Sequence, residues 1–94
     1  MLAAERENQK IAVEIKSFLE ESSVKAYHAA LGQFLNYKLA LELTDPSRLL
    51  YLAIPIAIYE SFFEREFLQT SVQRYQVRLI VYDPILEEIV KWIS

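Results

Sequence analysis

The chain has 94 residues and a mass of 11.0 kDa, so it holds one domain at most. It has no cysteine, one glycine, 24% charged residues and a net charge of −3, which excludes a disulfide scaffold, a thiolate metal site, a disordered chain and a protein that holds nucleic acid mainly by bulk charge. Hydrophobic residues make up 53%, yet no apolar run reaches the ~18 residues of a membrane span and the first ten residues lack the order of a signal peptide, so the expectation is a cytoplasmic protein, not a membrane one, whose surplus apolar surface is covered by a partner or a second copy.

In chain order, residues 1 to 9 read as a frayed lead-in. From Lys10 to Phe18 the sequence alternates, with Ile11, Val13 and Ile15 on one face and Ala12, Glu14 and Lys16 on the other, which predicts a strand. Glu20, Glu21, Ser22 and Ser23 follow, and serine is a favoured helix N-cap. From Val24 the period changes. Val24, Tyr27, His28, Leu31, Phe34, Leu35, Lys38 and Leu41 predict a helix over 23–43, apolar round most of its circumference and so packed on more than one side.

Thr44, Asp45, Pro46 and Ser47 stop that helix. Arg48 to Ile54 reads as a buried strand. Pro55 fits the first turn of a second helix, which runs to about Glu66, and Leu68, Val72 and Tyr75 carry another helical stretch to about Tyr75. Val77 to Tyr82 reads as a third strand, Asp83-Pro84 as a turn, and Glu87 to Ile93 as an antiparallel hairpin partner. Strands alternating with helices predict a layered α/β fold whose sheet has some parallel pairs.

Two places carry chemistry. Residues two apart on a strand share a face about 6.6 Å apart, so Glu14 and Lys16 project side by side while Val13 and Ile15 pack behind. A carboxylate beside an ammonium suits phosphodiester hydrolysis: the carboxylate binds Mg²⁺, and the lysine positions water and offsets transition-state charge. The same tripeptide also fits a solvent-facing ion pair on an amphipathic strand. A Mg²⁺ site usually takes a second carboxylate, expected on a neighbouring strand. The second place is Gly32, the only glycine, in the middle of the long helix, where glycine weakens the helix. Either the backbone approaches something closely there, or a ligand lies near. Ala26, Ala30, Gln33 and Tyr37 share a face, and the small alanines would let Gln33 and Tyr37 reach the active edge of the sheet.

Other residues read more plainly. His28, the lone histidine, sits on the apolar side of the helix as a packed residue. Arg74 and Arg78 make a small basic patch, and Glu87 and Glu88 a solvated edge.

Leu2 to Phe18 resembles the centre of the XisH family, the cyanobacterial fdxN element excision controlling factors. Ala30 to Phe34, Arg48 to Pro55, Val81 to Pro84 and Glu87 to Ile93 match in the same order, so the resemblance spans essentially the whole chain. It implies a restriction-endonuclease-like mixed sheet flanked by helices. In that fold the Glu-x-Lys strand supplies a metal carboxylate and a catalytic lysine, and a downstream helix a glutamine. By position these are Glu14, Lys16 and Gln33, with Mg²⁺ or Mn²⁺ as the metal at Glu14. The resemblance also implies DNA, an excision recombinase and other accessory factors as partners. Members of the family carry a further upstream stretch with the first helix, one or two strands and the acid that completes the metal site. The expectation is therefore a truncated domain over 1–94, lacking that N-terminal helix and strand, with an incomplete metal site and an open sheet edge that favours a homo-oligomer. Three readings stay open: an accessory factor on a nuclease-like scaffold, a Mg²⁺-dependent endonuclease completed by another subunit or an upstream segment, or a nonfunctional remnant that folds only as an oligomer.

Overall fold

The computed structural model describes residues 1–18 and 23–94. The elements are β1 (Leu2–Arg6), β2 (Gln9–Ile15), α1 (Ser23–Thr44), β3 (Leu49–Pro55), α2 (Ile56–Ile58) continuing as a π-helical turn (Tyr59–Phe63), α3 (Glu66–Arg74), β4 (Arg78–Asp83) and β5 (Glu88–Ile93). They build a mixed α/β fold on one five-stranded sheet of order β1-β2-β3-β4-β5. β2, β3 and β4 run parallel, and an antiparallel strand closes each side.

The lead-in expected over residues 1 to 9 is instead β1, an edge strand paired with β2 through Leu2↔Val13 to Arg6↔Gln9. Its two-residue turn is Glu7-Asn8, with φ of 49° and 71°. Two successive positive φ values match the twist of a tight hairpin. The strand expected to reach Phe18 stops at Ile15. Phe18 has φ 55° and turns its ring into the core, 5.5 Å from that of Phe63. The serine capping expected before α1 lies outside the described residues.

Handedness decides where the helices go. A right-twisted strand followed by a helix packs back on its sheet only as a right-handed crossover. Two such crossovers advancing in one direction, β2 to β3 and β3 to β4, put their helices on the same face. The core agrees: Tyr27, Ala30 and Phe34 of α1, Phe62 and Phe63 of the π-turn, and Leu68 and Val72 of α3 all pack with Leu50, Leu52, Ile54, Leu79 and Val81 of the sheet. On the opposite face Ile11, Tyr51, Ala53 and Ile80 form a smaller cluster with Val13, Tyr82 and Trp92, and none of the described helices covers it. α1 is accordingly packed on one side only, not on several. Leu35, Leu39 and Leu43 on its outer side are 37%, 55% and 77% exposed.

The π-turn corrects the single helix expected from Pro55 to Glu66. Glu64 N–H donates to the Tyr59 carbonyl, 3.1 Å away and five residues back. The wider turn brings Tyr59, Phe62 and Phe63 into the core together. Arg65 is extended, and the chain restarts as α3.

Two polar knots fix the layers. Asp45, just past α1, accepts from Lys10 Nζ at 2.8 Å and Arg48 Nε at 3.0 Å, tying the helix end to the starts of β2 and β3. Those two cations hold its carboxyl below the usual carboxylate range. In the core the Tyr27 and Ser71 hydroxyls share a hydrogen bond of 2.6 Å, joining α1 to α3. No described helix is long and apolar enough to cross a membrane.

Candidate functional site

Glu14 lies on the helix-covered face of β2, in register with Leu52 of β3. Lys16 follows the strand end, and its N–H donates to the Ala53 carbonyl at 3.0 Å, extending the parallel pairing by one bond. Both residues therefore stand at the carboxyl end of a parallel strand, where open α/β sheets place ligands. The alternation read from the sequence holds: Ala12 faces the helices and Ile11 the opposite side.

Lys16 Nζ is 3.8 Å from Glu14 Oε1, an ion pair too long for a hydrogen bond. The Glu14 side chain is 15% exposed and that of Lys16 is 32% exposed. Glu14 Oε2 is buried and accepts no hydrogen bond among the described residues. The Met1 amine is 3.6 Å from that oxygen, also outside hydrogen-bond reach. A buried carboxylate oxygen without a donor is a liability to the fold, and no sequence signal shows it, because it depends on how closely β1 and the helix layer surround β2.

Gln33 is on α1 and exposed, with no hydrogen bond among the described residues that joins it to Glu14 or Lys16. On the same face of α1, Ala30 is buried and Ala26 and Tyr37 pack against the core. His28, read as packed, is exposed; its ring centre is 6.4 Å from that of Tyr27. The described residues hold no cluster of three or more metal-ligating side chains. Among the described residues Glu14 is one carboxylate where a Mg²⁺ site usually takes more.

Sequence reasoning also missed a contact across the opposite face. The Arg6 guanidinium of edge strand β1 lies 3.9 Å above the Trp92 ring of edge strand β5. The sheet must curl for its two edges to meet. The ring of Trp92 in turn packs edge-on against Tyr51, 5.3 Å away.

A curled five-stranded mixed sheet with one described helix layer, and a Glu-x-Lys ion pair at the carboxyl end of its first parallel strand, defines the class: a mixed α/β protein. Comparison with known proteins gives the family. The family model described as XisH protein matches residues 1–90. The fold superposes on the crystal structure of an XisH family protein from Nostoc punctiforme with a TM-score of 0.94 at 47% identity, covering 98% of this chain and 73% of that one. It superposes equally on an fdxN element excision controlling factor protein from Anabaena variabilis, with a TM-score of 0.93 at 48% identity, covering 98% of this chain and 72% of that one. No curated protein matches the chain. The chain belongs to the XisH family.

Proposed function

We propose that the chain is an accessory factor in the controlled excision of a DNA element, working beside a recombinase and other accessory factors on a nuclease-like scaffold with an incomplete metal site. The observation that carries this reading is the 48% identity, over 98% of the chain, to a protein described as an excision controlling factor. The donor set supports the incomplete site, since among the described residues a Mg²⁺ or Mn²⁺ at Glu14 would find one carboxylate and no cluster of further ligands. With a net charge of −3, DNA would be held by local contacts or by the partners rather than by overall charge.

A second reading is a Mg²⁺-dependent endonuclease whose missing carboxylate comes from another subunit or a preceding segment. The buried Glu14 Oε2 favours it, because it accepts no hydrogen bond among the described residues and has the Met1 ammonium 3.6 Å away, a place where a carboxylate oxygen meets positive charge.

Excision frequency and metal binding separate the two. A strain lacking the protein is complemented with wild type or with Glu14→Gln, and Mn²⁺ and Mg²⁺ binding is measured by calorimetry on both proteins. The accessory reading expects excision to fall in the deletion strain and to be restored by both forms. Metal binding that Glu14→Gln abolishes, with excision lost alongside, establishes the endonuclease reading instead. Unchanged excision in the deletion strain overturns both.

A further inference from the structure

The lysines and arginines divide into those with a partner and those without. Lys10, Lys16 and Arg48 pair with carboxylates. Arg6, Arg65 and Lys91 lie over aromatic rings. Among the described residues Lys38, Arg74 and Arg78 have neither an ion pair nor a ring. The fold gathers these three. Lys38 Nζ of α1 stands 3.5 Å from Gln76 Oε1, and Arg74 and Arg78 lie two residues to either side of Gln76, at the end of α3 and the start of β4. Glu42, one turn beyond Lys38, makes no ion pair with it. The small patch of Arg74 and Arg78 read from the sequence thus gains a third cation from a distant helix.

Two further features lie in this patch. Tyr75, between the arginines, is 48% exposed. Beside it Gln73, Gln76 and Arg78 line a pocket of about 340 Å³ over Val72, Val77 and Ile93, and no aspartate or glutamate lines it. Gln76 has φ 52°, and the Val77 N–H donates to the Val72 carbonyl at 2.9 Å, which closes α3 as a Schellman cap with glutamine in the left-handed position that glycine favours. A polar side chain is kept there against the preference of the backbone.

Arginine forks phosphate oxygens, amide N–H groups donate to them, and an exposed ring takes the face of a base. Cations interleaved with an exposed ring suit a strand whose bases are unpaired, because a duplex hides the base faces. Offsetting the α3 dipole asks for one cation near its end, not three. We infer that this patch binds single-stranded DNA, with Lys38, Arg74 and Arg78 on its phosphates and Tyr75 under a base. DNA as the ligand rests on the excision reading above; the place and the strandedness come from the patch. It supplies the local contacts that a chain of net charge −3 needs.

The test is fluorescence anisotropy on the full chain, with a labelled single-stranded oligonucleotide and with the same sequence as a duplex, over a salt series. The single strand is expected to bind more tightly. Tyr75→Ala is expected to weaken it at least about fivefold, the low end for one stacked base, and Tyr75→Phe to restore it. Arg78→Gln is expected to lower the slope of log affinity against log salt by about 0.7, one phosphate contact on a single strand, and Lys38→Gln and Arg74→Gln to do the same. Arg65→Gln removes the same charge at the other end of α3 and is expected to leave affinity nearly unchanged. Circular dichroism checks each fold, and the five substitutions are read separately, so one that unfolds leaves the others to decide. Absent binding, a duplex bound as tightly as the single strand, Tyr75→Ala without effect, or Arg65→Gln as damaging as Arg78→Gln overturns the inference. Binding is read on the purified protein and excision in the strain, so the two proposals fail separately. Excision lost in the deletion strain without single-strand binding overturns only this inference; unchanged excision with binding that depends on the patch overturns only the accessory reading.

Discussion

The two faces of the sheet have almost the same chemistry and different fates. Along β3, Leu50, Leu52 and Ile54 face the helices while Tyr51 and Ala53 face away, and all five are buried. A strand that is apolar on both faces belongs to a sheet covered on both. One cover comes from the chain's own crossovers, because handedness sends both helical connections to a single side. The other comes only from curling, with Trp92 and Arg6 reaching across from opposite edges. The helix-side core is interlocked by rings: Phe63 meets Phe18, Tyr27 and Phe62 at 5.4 to 5.5 Å. On the other face Tyr51 is buried, and Tyr82 and Trp92 stay half-buried. Topology thus decides which side of an evenly apolar strand is closed within the chain.

The sharpest way to break this contrast is to remove one aromatic ring from each side. Phe63 is fully buried, and Phe63→Ala is expected to cost about 3–5 kcal/mol in urea unfolding at low protein concentration. Tyr82 is half-buried on the other face, and Tyr82→Ala is expected to cost only about 1 kcal/mol. Equal losses would mean that the curled sheet closes its own face as tightly as the helices close theirs, and the distinction would fall.

A smaller effect tests the polar bond inside the covered face. Tyr27→Phe leaves the buried Ser71 hydroxyl without its partner and is expected to cost about 1–3 kcal/mol. Adding Ser71→Ala should return part of that loss, since an apolar pair leaves nothing unsatisfied. The same bond has a pH signature. Burial raises the Tyr27 hydroxyl above its ordinary pKa, with the Ser71 hydrogen bond opposing in part and Tyr75 adding to the rise. The folded form therefore keeps its proton where the unfolded form has lost it. Stability is intact below the unfolded value of about 10 and falls as pH rises beyond it. A wild type that loses no more stability than Tyr27→Phe above that pH would show that the hydroxyl is not held by the core.

Much of this architecture is legible in the sequence. Alternation marks β2, a 3-4 period marks α1, and Thr44 to Ser47 marks the break between them, because each signal is local. β1 is not legible. Leu2-Ala3-Ala4-Glu5-Arg6 has no β-branched residue, and its turn, Glu7-Asn8, lacks the glycine that usually marks a tight hairpin. Its strand character comes from pairing with β2. Nor does helical period show which side of α1 is buried, since leucines occur all round it. That choice is made by the sheet beneath, which takes Tyr27, Ala30 and Phe34 and leaves Leu35 and Leu39 outside. At the candidate site, spacing places Glu14 beside Lys16, and the resemblance selects both. The lack of a hydrogen-bond donor to Glu14 Oε2 depends on the layers packed round it and is visible only in three dimensions.

The smallest expected effect bears on whether Glu14 and Lys16 belong to the fold or to a function. A residue that holds the covered face together loses stability when removed, as Phe63 does; one kept for chemistry does not. Lys16 is about a third exposed and its ammonium is 3.8 Å from Glu14, so solvent screens most of the attraction. Lys16→Ala is therefore expected to change stability by no more than about 0.5 kcal/mol. Glu14→Gln removes a charge whose second oxygen has no donor, and is expected to leave stability unchanged or slightly raised, the pattern of a residue kept at the expense of the fold. Chemical denaturation of the two variants beside wild type decides the matter. A loss above about 2 kcal/mol at Lys16 would make the pair a buried structural ion pair, and the nuclease-like reading of this site would lose its footing.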